Sequence, residues 1–258
     1  MPASNGFVFK SAGTTHPGRV RTVNQDAFVD LPEQRVWAVA DGVGGHQRGE
    51  AASQAVVNAI AEIAKETPAN AHVESIRQRI IEVNHELIQG AHQLGPDALI
   101  ASTVAVMVAD TNSCICLWAG DSRVYGFRQG RLSRLTRDHS HVEQLVDLGV
   151  ISAQEALHHP DANIILRAVG RSEHLELDAV VYDLYDGDKF LLCTDGITKE
   201  LDDDEIANVL AQGDCHDNCQ QMLNLALSRN CADNIALIVI DVRQPDEGDT
   251  TLRRMRPY

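Results

Sequence analysis

Apolar residues along this chain recur with two different periods. Between His72 and Leu94, the residues Val73, Ile76, Ile80, Val83, Leu87, Ala91 and Leu94 follow one another at three- and four-residue steps, the spacing of a helix that buries one face. Residues 49–65 predict a second helix of this kind. Shorter apolar runs fall at residues 103–109, 114–119, 123–127 and 131–135, divided by Asp/Asn, Gly-Asp-Ser and Gln-Gly turns, and this order predicts an antiparallel meander. Further strands are expected at 178–185, 189–194 and 235–242, around helices near 203–212 and 217–229. Helix pairs and strand groups alternate in blocks, which favours antiparallel sheets covered by helices over a regular βαβ alternation.

Several of the apolar runs end on an acid. Val36 to Ala40 leads into Asp41-Gly42, Cys114 to Ala119 into Gly120-Asp121-Ser122-Arg123, and Phe190 to Cys193 into Thr194-Asp195-Gly196. The fourth case is reversed: Asp233-Asn234 precedes Ile235 to Ile240, so Asp233 reaches the same sheet edge only if its strand runs opposite to the other three. Each instance alone reads as an ordinary turn, because Asp-Gly is a common turn pair. Four such acids at strand edges point instead to a shared site, since carboxylates there are costly unless something binds them. Several oxygen ligands in one cleft suit hard divalent cations.

The chain has 258 residues, 44% of them hydrophobic, enough to bury one sizeable core. We expect a single domain over residues 1–242 and a mobile tail over 243–258, polar and mixed in charge, whose Arg253, Arg254 and Arg256 most simply stay solvated. Residues 138–176 are polar and His-rich, punctuated by Gly149 and Pro160, and fit an inserted flap or an ordinary surface excursion. The formal charge of −15 disfavours nonspecific attraction to nucleic acid or anionic membrane. An anionic substrate would therefore need local positive charge from metal ions and a few placed arginines. The six cysteines form no disulfide-like framework, and Cys215/Cys219 lack the partners of a zinc site; reduced structural thiols are expected. With no secretory signal pattern and no apolar run of membrane-spanning length, the expectation is a soluble cytoplasmic monomer.

The glycines after Asp41, in Asp41-Gly42-Val43-Gly44-Gly45-His46, form neither a Walker loop nor a dinucleotide fingerprint, because the Gly-Lys-Ser/Thr ending is missing and Gln47 stands where the third fingerprint glycine would fall. They leave room for a backbone carbonyl to approach a cation and for a tight entry into a helix. Upstream, Arg21 lies five residues before Asp26, and an arginine fork can hold two phosphate oxygens while a carboxylate organises water.

Taken in order, Arg21…Asn24-Gln25-Asp26, Asp41-Gly42-Val43-Gly44-Gly45-His46, Ser102-Thr103, Gly120-Asp121-Ser122-Arg123, Leu135-Thr136-Arg137-Asp138-His139-Ser140, Thr194-Asp195-Gly196 and Asp233-Asn234 closely resemble the bacterial branch of the PP2C-like (PPM) metal-dependent serine/threonine protein phosphatases. The resemblance spans roughly residues 10–242. It implies an α+β fold, a four-layer α-β-β-α sandwich of two antiparallel sheets flanked by helices, with two Mn²⁺ or Mg²⁺ ions at one end of the sheets. It also implies roles for single positions. Asp41 would bridge both metals and the Gly42 carbonyl would bind the second; Asp195 and Asp233 would bind the first; Asp26 would act through metal-bound water. Arg21 would anchor the substrate phosphate, Asn234 would be an orienting neighbour, and Asp121 would help hold a third, weaker metal. A metal-bridging hydroxide would attack phosphorus directly, with no cysteine nucleophile.

Two positions depart from the family pattern. Many members carry His directly after the Asp-Gly pair as a proposed general acid, where this chain has Val43, with His46 three residues on. Many also carry Asp or Asn four residues after the Asp195 position, where this chain has Lys199, whose charge would repel a third cation or replace part of its charge. The expected partners are phosphoserine and phosphothreonine proteins, substrates of a bacterial Ser/Thr kinase. A phosphoprotein-binding regulator with weak or no turnover is the alternative, and a nucleotide-binding domain rests on the glycines alone.

Overall fold

The computed structural model describes residues 6–43, 47–157 and 159–245. Its strands, in chain order, are β1 (Val8–His16), β2 (Asp26–Leu31), β3 (Val36–Val43), β4 (Ala101–Ser102), β5 (Val104–Ala109), β6 (Ser113–Ala119), β7 (Arg123–Arg128), β8 (Arg131–Arg134), β9 (Asp178–Asp183), β10 (Lys189–Cys193) and β11 (Ile235–Arg243). They form one sheet in the order β1-β11-β10-β7-β8 and a second in the order β2-β3-β5-β6-β9, with β4 paired to β3. All strand pairings are antiparallel.

The helices are α1 (Gln47–Glu66), α2 (His72–Leu94), α3 (His141–Asp147), α4 (Ala153–Ala156), α5 (Asp195–Thr198), α6 (Asp203–Leu210) and α7 (Cys215–Ser228). Strand alternation sorts the side chains into three apolar layers. Val36, Ala38 and Ala40 of β3 meet α1 and α2, while Trp37 and Val39 meet Phe190, Leu192, Ile238 and Ile240 between the sheets. Leu191, Cys193, Leu237 and Val239 face α5, α6 and α7. The result is an α-β-β-α sandwich. Because both faces of each sheet are covered, the central strands read as continuous apolar runs, a signature more usual for parallel sheets.

The expected meander over 103–135 does not form. β5 and β6 pair in one sheet, whereas β7 and β8 belong to the other. The chain crosses at Gly120, held at φ 115°, where any Cβ would stand 2.6 Å from the Thr103 methyl. β1, β2 and β4 went unread in the sequence. The first two are sheet edges with largely half-buried residues, so their sequences lack a strong apolar period. The six cysteines are free and buried. Among the described residues no helix is long and apolar enough to cross a membrane. Residues 246–258, with the tail arginines, and Gly44, Gly45 and His46 lie outside the described residues.

Candidate metal centre

Strand direction gathers the acids. β2 and β3 pair so that Asp26, at the start of one, lies opposite Asp41, near the end of the other. β10 and β11 also run antiparallel, so Asp195, just after β10, and Asp233, just before β11, share one edge of the facing sheet. Asp121 follows β6, which runs in the same direction as β3 because both flank β5 antiparallel. Asp233 thus does sit on a strand opposed to the one that delivers Asp195.

The centre is built from carboxylates that repel one another. Burial raises Asp41 well above the usual carboxylate range, and the charges of Asp26, Asp195, Asp121 and Asp233 push it further. Burial lifts Asp26 to about 7; the Thr194 hydroxyl, donating to Asp26 Oδ2 at 2.6 Å, opposes this, while Asp195 and Asp233 add to it. Asp121 is likewise pushed to about 7 by burial and by Asp195 and Asp138, against the pull of Lys199. Asp195 is raised, by burial first. Asp233 is the exception: burial pushes it up, but Lys199 and Arg21 outweigh this and hold it below the ordinary range.

Among the described residues, the buried Oδ1 atoms of Asp26, Asp121 and Asp195 have no hydrogen-bond partner. Partnerless buried carboxylate oxygens are strongly disfavoured without a cation. An all-oxygen donor set suits Mn²⁺ or Mg²⁺, so the residues fit the ions the sequence implies. No three His, Cys, Asp or Glu side chains among the described residues yet close on one point. Two side-chain cations stand among the acids instead. Lys199 Nζ lies 2.5 Å from Asp195 Oδ2 and 2.9 Å from Asp233 Oδ2. Arg21, more than half exposed at the rim, reaches Asp233 Oδ1 at 3.2 Å.

Neutral side chains hold this arrangement. Asn234 accepts from the Gln25 N–H at 2.8 Å and donates to Pro17 O at 3.1 Å and Val23 O at 3.0 Å, stapling the Arg21 loop to the start of β11. Gly18, at φ 77°, lets that loop lie on the Asp233 backbone, where a Cβ would come within 2.1 Å of its carbonyl. Thr103 Oγ1 accepts from the Asp41 N–H at 2.9 Å and contacts Ser122 Oγ at 2.7 Å, tying the end of β3 to the Asp121 turn. Thr194 and Ser102-Thr103 were both noted among the motifs without a role; polar residues inside apolar runs were the available signal. Gly42 lies between the start of α1 and the Gln25 backbone. It packs on backbone, with a Cβ there falling 1.9 Å from Gly49 O and 2.9 Å from Gln25 O. Cys193 is fully buried and its thiol is pushed up to about 12 by burial, so it is a core residue and no nucleophile. Arg123 forks onto Asp138, with Nη2 to Oδ2 at 2.6 Å.

Asn234→Ala is expected to remove the staple at a cost of about 2 kcal/mol in the metal-free protein, measured by urea unfolding in EDTA. The Arg21 loop would loosen with it. Unchanged stability would remove Asn234 from this role.

Fold and site together define a cluster of buried carboxylates at one end of an α-β-β-α sandwich, an oxygen donor set that suits divalent cations. Residues 12–232 match the family model of protein phosphatase 2C, and the chain belongs to that family. It is 31% identical over 245 residues to the serine/threonine protein phosphatase PstP of Mycobacterium tuberculosis, covering 95% of this chain and 47% of PstP, so it spans about half of that relative. The serine/threonine phosphatase Stp of Listeria monocytogenes is 33% identical over 236 residues, covering 88% of this chain and 93% of Stp. Among solved structures, PppA, described as a key regulatory component of T6SS in Pseudomonas aeruginosa, aligns with a TM-score of 0.85 at 38% identity, over 92% of this chain and 99% of PppA. The catalytic domain of PstP in complex with two manganese ions aligns at 0.83 and 29% identity, over 92% and 100% of the two chains.

Proposed function

We propose that this chain hydrolyses phosphoserine and phosphothreonine in proteins, as a monomer in the cytoplasm, on substrates of a bacterial Ser/Thr kinase. The observation that carries this reading is the convergence of Asp26, Asp41, Asp121, Asp195 and Asp233, three of them with partnerless buried oxygens, beside a rim arginine. Its family membership and the bacterial serine/threonine phosphatases it resembles support the same reading. The buried free thiols fit a reducing compartment.

Asp41 would bridge two Mn²⁺ or Mg²⁺ ions, Asp195 and Asp233 would hold the first, and the Gly42 carbonyl the second. The ions, when bound, supply an acidified water and positive charge against the phosphoryl oxygens. Asp26, fixed through Oδ2 by Thr194, keeps Oδ1 to orient water. Arg21 offers a planar donor fork at the rim, where a phosphate would compete with Asp233 for it. Asp121 would reach a third ion only weakly, because Lys199 acts on it.

The test is phosphate release from a phosphothreonine peptide during titration with Mn²⁺ and with Mg²⁺, with EDTA and Asp195→Asn as controls. Metal-dependent turnover lost in the variant is expected. A folded, Mn²⁺-binding protein with no turnover on several peptides would overturn the catalytic reading in favour of a phosphoprotein-binding regulator.

We assign the 138–176 segment, carrying α3 and α4, to peptide contact. It exposes Leu148, Val150, Leu157, Ile164 and Leu166 and is pinned at its ends by the Ser140–Ile165 and Ser102–Val169 bridges. Trimming residues 145–160 should therefore raise KM for a phosphopeptide several-fold and leave hydrolysis of a small aryl phosphate nearly unchanged. Equal effects on both substrates would refute this assignment.

A further inference from the structure

The turn that presents Asp195 to the metal centre also places a cation on it. Asp195 opens the four-residue helix α5 and Lys199 closes it, so the two stand one turn apart. That spacing brings side chains together on one helix face. The ammonium does not stop at its helical partner. It also reaches Asp233 across the edge of the sheet, while Arg21 takes the other oxygen of Asp233. Both oxygens of Asp233 and one oxygen of Asp195 are thereby engaged by side-chain cations, and Asp195 Oδ1 is left without a partner. Asp121, buried and also carrying a partnerless oxygen, feels the same ammonium.

We propose that Lys199 is a tethered internal cation of the metal centre, which competes with the divalent ion for Asp195 and Asp233. The inference rests on the metal-dependent reading above and adds to it a residue that sets metal affinity. A positive charge within contact of two ligand carboxylates must be displaced or tolerated when a divalent ion binds them, so it weakens that binding. In the metal-free protein the same lysine is stabilising, because it neutralises carboxylates that would otherwise repel one another at close range.

The experiment is calorimetric titration of Mn²⁺ into the EDTA-stripped full chain, for the native protein, Lys199→Gln and Lys199→Arg, with bound manganese counted by elemental analysis. Lys199→Gln is expected to bind Mn²⁺ about tenfold more tightly, and Lys199→Arg, which keeps the charge, to stay near the native value. Native-like affinity in Lys199→Gln would overturn the proposal. If the glutamine variant does not fold, a crystal of the native protein saturated with Mn²⁺ decides: Lys199 is expected to have left Asp195 and Asp233, and an unmoved ammonium with both ions present would overturn it. Absence of Mn²⁺ binding in every variant would overturn the metal-dependent reading itself, whereas equal affinities overturn only the role of Lys199.

Discussion

Replacing Asp41 with Asn should make the metal-free protein more stable and the Mn²⁺-loaded protein on the order of a thousandfold slower. The two effects have opposite sign because the same charge does both jobs. In EDTA, the Asp41 carboxylate is opposed by burial and by the charges of Asp26, Asp195, Asp121 and Asp233. An amide of nearly the same shape removes that repulsion and can still accept a hydrogen bond. A gain of about 1–2 kcal/mol is expected, which for a chain of this size raises Tm by roughly 2–6 °C. With Mn²⁺ present, the carboxylate we assign to the ions becomes a neutral ligand, and both metal affinity and turnover should fall. Thermal melts in EDTA and phosphate release in Mn²⁺ check the two halves separately. A variant less stable than the native chain in EDTA would mean that Asp41 is held by contacts rather than strained by its neighbours.

Gly42→Ala should be harmful for a different reason. The added methyl would point at the Gly49 carbonyl, 1.9 Å away, and at the Gln25 carbonyl, 2.9 Å away. Both obstacles are backbone, so neither can swing aside. The end of β3 and the start of α1 would have to separate, at a cost of about 3 kcal/mol or more, and the carbonyl assigned to the second metal would move with them. Reduced stability in EDTA together with weakened Mn²⁺ binding is the expected pair of results, read by urea unfolding and by calorimetry. A variant with native stability would show that this crossing is looser than the distances imply.

These residues also show where sequence reasoning succeeds and where it stops. Asp41, Asp121, Asp195 and Asp233 were legible because each breaks an apolar run at its end, and a strand end is a place the sequence can mark. Helix α2 was legible because Val73 to Leu94 keep one period for its whole length. The meander failed because turn residues such as Gly120-Asp121-Ser122 announce a change of direction but not a change of sheet. Which sheet a strand joins is decided by packing between layers, through Trp37, Phe190 and Ile238, residues far apart in the chain. Thr194 and Thr103 stayed silent as partners of Asp26 and Asp41 for the same reason. Lys199 was noticed as a departure from pattern, but its reach to Asp233, 34 residues away, needed coordinates.

β11 is laid between β1 and β10, so a strand synthesised long after β1 fills an interior place in the sheet. Thr15 bonds to Ile235 O across a separation of 220 residues, and Asn234 reaches back to Pro17 and Val23. A nascent chain that stops short of this strand lacks Asp233, the staple and the central ladder together. Closure then demands contacts between segments far apart in the chain, a topology that folds slowly and late. A polypeptide interrupted before β11 would therefore carry Asp26 and Asp41 but not Asp233, and its carboxylate cluster would be incomplete.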